Sequence, residues 1–438
     1  MCCGNSTARV LLKYSLAMPA VLSAAYREVC MWQEQVPREP RKITAVPDRA
    51  DVVVIGAGYC GLGAAGSAAR AGASVVVFDK EPLGWGASSR NGGMVIPELK
   101  AGPEKLAKKL GPLGHRLYAE VEQAFDHTES LAAGIDCDYR RSGQFYLAHT
   151  RHHTPYLRDL AGELRRAGQP VRFMTRDEVR ASTGSDAFDS GVHFERVGGL
   201  HPARLHAGMA QRALVAGAEI HDRTGVTAVR SDAGGFLVDT TRGAVRAGQV
   251  VIATNAYADS AVPDLARRVL PINSYIIATE PLTDEQRSII GPQMMVDTKN
   301  LLFYWRLTPD GRMAFGGRNR LDPVDVPVAR DFLYDNMVRI HPQLQGVAID
   351  YAWTGYVAMT LDRLPHVGTI NGAWYATGCN GTGVSLNGWL GHRLGEVVTG
   401  QAPPPAFAEM PHPRIPFKPL SSSYVPLVGR YLAIQDRR

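Results

Sequence analysis

Residues 50–79 read ADVVVIGAGYCGLGAAGSAARAGASVVVFD. The apolar run 52–55 predicts a buried strand, and Gly56, Gly58 and Gly61 follow it in a GxGxxG turn. An alanine-rich helix to Arg70 and a second strand at 75–78 complete a βαβ unit. Gly56 permits the sharp turn out of the strand. Gly58 lets a pyrophosphate approach the backbone, where the helix dipole favours negative charge, and Gly61 lets the helix lie close to the sheet. Asp79 ends the second strand roughly twenty residues on, where a carboxylate binds both hydroxyls of an adenosine ribose. It also repels a 2′-phosphate, so NADP is disfavoured and FAD or NAD remain. Lys80 follows it.

Two further turns extend this reading. Residues 87–93 read ASSRNGG, in which Ser88 and the pair Gly92 and Gly93 allow close backbone contact with a flat ring, while Arg90 and Asn91 supply donors. A solvated surface turn would read the same. Residues 378–384, GCNGTGV, again lie between a strand and a helix and bring Gly378, Asn380, Gly381, Thr382, Gly383 and Val384 to a helix N-terminus. Its partial positive charge would stabilise a reduced flavin, although a second phosphate loop or a plain helix start fits the same residues. The two glycine turns lie at opposite ends of the chain, which favours a long cofactor held at both ends, FAD, over NAD on a single Rossmann half.

Between them the chain alternates. Helices are expected at 114–133, 155–168, 202–217 and 329–340, with short strands at 144–148, 275–279, 301–307, 312–316, 349–353 and 374–377. Strands at 226–230, 236–240, 244–245 and 250–253 read as a meander. The fold class expected is α/β (α+β overall), a Rossmann-like FAD-binding domain with an inserted, mostly antiparallel substrate domain. The expected boundaries are an N-terminal extension and linker at 1–49, FAD-binding parts at 50–100, 196–262 and 354–400, a mixed, mainly substrate or cap part at 101–195, a substrate part at 263–353 and a C-terminal tail and helix at 401–438.

Composition excludes several classes. A net charge of +6 over 438 residues, without an aromatic-interleaved basic patch, argues against nucleic acid. Six cysteines form no CxxC pair and no zinc-spaced cluster, so no metal is expected and reduced, intracellular thiols are the simplest reading. No apolar run approaches the ~20 residues of a membrane span. Before Glu28 there is no acid, and Arg9 and Lys13 flank a mildly apolar stretch ending near Ala25. That reads as a poor targeting segment, or as an unstructured or over-called start with Met18 or Met31 as initiator. The linker 37–49 should be extended, and the compartment cytoplasmic.

The segments ADVVVIGAGYCGL, GWGASSRNGGM, IDCDYRRSGQFYLA, GGLHPARL, VVIATNAYADS, HPQLQGVAIDYAWTG, DRLPHVG and GCNGTGV occur in this order from residue 50 on. As a set they resemble the FAD-dependent D-amino-acid oxidase and sarcosine oxidase superfamily, nearest its gamma-glutamylputrescine oxidase subgroup. The resemblance implies that Gly56, Gly58 and Gly61 hold the pyrophosphate and Asp79 the ribose. It places Arg90 to Gly93 beside the isoalloxazine, Val226 at adenine, Ala253, Thr254 and Asn255 under the ribityl chain, and 378–384 at the pyrimidine edge. One departure is Thr382, where the subgroup often has His or Arg. No cysteine stands at 355–360, where covalent relatives attach their flavin, so FAD should be bound non-covalently.

The implied reaction is oxidation of an amine C–N bond to an imine, with electrons passing to O2 to give H2O2. A dehydrogenase of amino acids or N-methyl amino acids using another acceptor, and a non-catalytic flavoprotein subunit, remain as alternatives. Such chemistry needs orientation and a dry pocket more than a nucleophile, and no catalytic base is assigned. Tyr304, Trp305, Arg306 and Trp353 are the candidates for the substrate wall, Arg306 foremost because a buried arginine needs a partner. The expected partners are a small-molecule amine and an electron acceptor. Oligomeric state is not legible.

Overall fold

The computed structural model describes residues 18–436. The Arg49–Ile55 strand pairs in parallel with Val75–Phe78 on one side and with Gly243–Ile252 on the other, and Glu219–His221 adds a parallel edge. Ala373–Thr377 joins the last residues of the Gly243–Ile252 strand, also in parallel, and carries His366–Ile370 as its antiparallel neighbour. Apolar residues alternate across this sheet. Val52, Val54, Val75 and Val77 face the core that holds the Tyr59–Arg70, Pro202–Val215 and Gly383–Val398 helices. Val53, Ile55, Val76 and Phe78 face Phe236, Val238 and Val245 of the hairpin on the other side. Burial on both faces explains why these strands read as unbroken apolar runs.

Among the described residues, the second sheet has nine strands and is antiparallel except at two junctions, Leu22–Arg27 with Ile349–Met359 and Met294–Asp297 with Gln144–Leu147. The Val326–Ile340 helix covers one of its faces, packing Leu333, Tyr334 and Met337 against Phe303, Trp305 and Phe315. The other face looks toward the 86–93 loop. A Rossmann-like sheet beside a mostly antiparallel one is the architecture expected from the sequence.

Several local readings are corrected. The pieces 244–245 and 250–253 are one strand, Gly243–Ile252, whose first half pairs antiparallel with Gly235–Thr240 and whose second half belongs to the parallel sheet. Gly248 lies inside it, where a Cβ would come within 3.0 Å of the Asp51 carbonyl oxygen. The strand expected at 349–353 runs on to Met359. An unstructured start does not hold from Leu22 on, because Leu22–Arg27 is an edge strand and Met31 and Trp32 are fully buried. The charged and apolar features of residues 1–17 lie outside the described residues. Among the described residues, no helix is long and apolar enough to cross a membrane.

Candidate cofactor and substrate site

A cleft of about 1380 Å³, counted out to its open mouth, runs along the carboxyl ends of the parallel strands. Gly56, Gly58, Asp79, Lys80, Ser88, Asn91, Val226, Ala253, Thr254, Asn255, Gly381, Gly383 and Val384 line it. Residues from both glycine turns and from the strand end between them therefore meet on one surface. Gly56 has φ +101, and a Cβ there would come within 2.9 Å of the Ala253 carbonyl oxygen. A Cβ on Gly61 would sit 1.8 Å from the Gly56 oxygen, so this helix position tolerates no side chain.

At one end, Asp79 Oδ2 accepts from Ala57 N (2.8 Å) and Oδ1 from Glu81 N (3.0 Å). Burial raises its pKa, and the two amide donors oppose that shift. At the start of the Tyr59–Arg70 helix, the Ser88 hydroxyl accepts from Tyr59 N at 2.9 Å. The 87–93 loop is thereby tied to the first glycine turn. At the other end, Asn255, in the left-handed region at φ 47, accepts from Gly378 N at 3.1 Å and donates to Cys379 Sγ at 3.4 Å. Asn380 turns inward, donating to the Gly378 carbonyl (2.6 Å) and accepting from Thr360 N (3.1 Å). Thr382 donates to the Cys379 carbonyl. Gly378, Asn380 and Thr382 shape the turn from behind, and Gly381, Gly383 and Val384 present its open side.

Among the cleft residues that sequence reasoning missed are Trp85, His206, Tyr257, Tyr356 and Asn387. Trp85, Tyr257 and Tyr356 stand edge to face in a row, with centroids 5.8 and 5.5 Å apart. Each lies within or beside a segment that carried the family resemblance, so the signal was present but unassigned. His206 could not have been found from local pattern. Arg38 donates to its Nδ1 at 2.8 Å, which leaves the proton on Nε2 to donate to the Ala57 carbonyl at 2.7 Å. Burial, followed by the Arg38 charge, pulls its pKa down to about 3, so it is a neutral brace for the glycine turn.

The four substrate-wall candidates separate. Along Phe303–Leu307 side chains alternate, and Trp305 points into the helix-covered core, stacked with Phe188, fully buried and away from the cleft. Tyr304, Arg306 and Trp353 share the opposite face and all meet the 90–93 loop. Trp353 Nε1 donates to the Arg90 carbonyl at 2.8 Å, and a Cβ on Gly92 would lie 3.1 Å from the Tyr304 ring. Arg306 is 5% exposed. Its Nε donates to the Gly92 carbonyl (2.7 Å), its Nη2 to the Leu200 carbonyl (2.6 Å), and its guanidinium lies over Trp32. Burial pulls its pKa down to about 10. Arg90 likewise gives Nε to the Trp85 carbonyl and Nη1 to the Thr354 carbonyl, stacked on the Trp85 ring.

Residues 51–397 match the family model described as DAO, FAD dependent oxidoreductase. The chain is a member of this family. It is 31% identical over 401 residues to gamma-glutamylputrescine oxidoreductase of Escherichia coli K12, covering 87% of this chain and 93% of that protein. A probable oxidoreductase, OrdL, of Haemophilus influenzae is 33% identical over 365 residues, or 81% of this chain and 84% of the relative. Among solved structures, glycine oxidase from Geobacillus kaustophilus superposes with a TM-score of 0.72 at 23% identity, covering 84% of this chain and 99% of that one, and shares its fold. The protein is thus an FAD-dependent oxidoreductase. Its cleft suits that cofactor on a point independent of the family match: Oγ1 of the lining residue Thr254 is buried without a hydrogen-bond partner among the described residues. A polyhydroxylated chain would satisfy it.

The Arg306 contacts give a direct expectation. Arg306→Met strands two backbone carbonyls in the interior and should destabilise the protein by about 2–4 kcal/mol, offset in part because no cation is buried. A urea denaturation curve with an unchanged midpoint would show that the clamp is not stabilising.

Proposed function

We propose that the protein oxidises the C–N bond of an amine, yielding an imine that hydrolyses to an aldehyde, with O2 as acceptor and H2O2 as product. The observation that carries this reading is the 31% identity, over 87% of the chain, to an oxidoreductase of gamma-glutamylputrescine. The site supports an amine over an α-amino acid. The arginines that contact the 90–93 loop, Arg90 and Arg306, give donors to backbone carbonyls, so neither is free to grip a carboxylate beside the reacting carbon.

In this reading Gly56, Gly58, Ser88 and Gly61 form the pyrophosphate end, with Asp79 and Lys80 at the ribose and Val226 at adenine. Ala253, Thr254 and Asn255 underlie the ribityl chain. Arg90, Asn91, Gly92 and Gly93 flank the flavin ring, and 378–384 its pyrimidine edge. FAD held there supplies a two-electron acceptor for a hydride from the carbon bearing the nitrogen. The chain's own part is orientation and exclusion of water: Tyr304, Trp353 and Gly355 wall the loop with neutral groups, which favours the unprotonated amine. Trp85, Tyr257 and Tyr356 line the mouth. The four described cysteines are buried free thiols, which supports a reducing, cytoplasmic setting.

Purified enzyme should release peroxide from long primary amines in air and lose its flavin colour when the same amines are added anaerobically. Anaerobic bleaching without aerobic peroxide would instead indicate a dehydrogenase with another acceptor, and no bleaching by any amine would refute C–N oxidation. Asp79→Ala should weaken FAD binding by about 1.5–3 kcal/mol, the range for losing charge-assisted hydrogen bonds. An unaltered dissociation constant would remove Asp79 from the ribose. Acid precipitation should leave the flavin in the supernatant. Cys60 lines the cleft, but burial pushes its thiol up to about 12, making it a poor nucleophile. Colour in the pellet would point to Cys379, the other thiol of the cleft.

A further inference from the structure

Arg318 stands apart from the other interior arginines. It follows the Met313–Gly317 strand, whose last ladder pairs are Tyr275 with Gly317 and Ile276 with Gly316. Continuing that register by one step aligns Arg318, just past the end of the strand, with Ser274. Two residues after Gly316, it continues the face on which Gly316 lies under the Tyr304 ring, where a Cβ would be 2.4 Å from that ring. Ser274 and Tyr304 are joined through their hydroxyls at 3.0 Å. Arg318 is half-buried, and it makes no hydrogen bond or ion pair with another described residue. Burial lowers its pKa, and the ionisable groups that bear on it are phenols, first Tyr304 and then Tyr275, rather than carboxylates. Arg306, on the same face, contrasts with it, since its donors are held by Gly92 and Leu200.

The neighbours of Arg318 form a track. Ser274 pairs across the ladder with Gly355, and Gly355 packs against the Arg90 side chain of the loop that borders the cleft. Gly355 and Ser274 are thus partners on two adjacent strands, and Arg318 follows the end of the third, in line with them by register. Two strand spacings, about 10 Å, separate the ends of this row. The row begins at the 90–93 loop with two small residues and ends at a guanidinium whose fork has no partner among the described residues.

We propose that Arg318 is the specificity residue that holds a carboxylate at the far end of the amine substrate, roughly eight bonds from the reacting nitrogen. The proposal rests on the amine-oxidase reading and deepens it. The preferred substrate is a long amine with a remote carboxylate, its chain lying over Ser274 and Gly355. A planar fork suits that task because it can bind both carboxylate oxygens at once, and an ammonium cannot.

The test compares wild-type holoenzyme with Arg318→Met and Arg318→Lys on 8-aminooctanoate and on its primary amide, which keeps the length and loses the charge. Arg318→Met should lower kcat/KM for the acid by about 10- to 150-fold, mainly through KM, and change the amide by less than about threefold. Arg318→Lys should recover part of the loss. Equal loss on both substrates, or no preference of the wild type for the acid, would overturn the assignment. If the wild type oxidises neither compound, the amine-oxidase reading is at fault, and titration with octanedioate, followed by flavin absorbance, decides for Arg318. A dissociation constant raised by a similar factor in Arg318→Met would uphold it, and equal constants or no perturbation would reject it.

Discussion

Everything in the cofactor cleft depends on how closely two helices approach. Tyr59–Arg70 and Gly383–Val398 touch through backbone: a Cβ on Gly391 would fall 1.9 Å from the Cys60 carbonyl oxygen, and one on Gly395 would fall 2.6 Å from that of Ala64. The turns at Gly56–Gly58 and at 378–384 open the first and second of these helices. Locking the helices together fixes the distance between two turns that lie at opposite ends of the sequence. A cofactor binding both turns meets a frame that is already in place, which reduces the ordering cost of binding.

The same economy governs the cations around the frame. Arg38, Arg90 and Arg306 all reach into the protein from loops or strands, and all end on backbone carbonyls. Carbonyls of irregular loops have no ladder to satisfy them, and an arginine fork can serve two at once. The loops at 83–85 and 90–93 are therefore held by side chains from distant segments. Their geometry belongs to the tertiary fold more than to the loops' own sequence.

This division also explains what could be read in advance. The first βαβ unit, the glycine turns and the acid Asp79 were legible because each needs particular residue types at fixed spacing. The strand class of 303–307 was legible too, but which of Tyr304, Trp305 and Arg306 faces the loop was not. Alternation gives two faces, and only the position of the Val326–Ile340 helix says which is core. His206 was invisible for a related reason, as its partners Arg38 and Ala57 lie far off in sequence. Leu22–Arg27 was missed because a mostly exposed edge strand carries little apolar pattern.

That edge strand bears on the way the chain is made. Leu22–Arg27 leaves the ribosome long before the strand it pairs with, Ile349–Met359. Met31 and Trp32 wait as well, since their packing partners include Ala203, Ile276, Ala314 and Trp353. Until those segments are made, these apolar residues have little native to bury against. Contacts this distant in sequence close slowly, and the uncovered surface invites association with other chains meanwhile. A strand made early thus closes an edge of the nine-stranded sheet only after a partner made late has appeared.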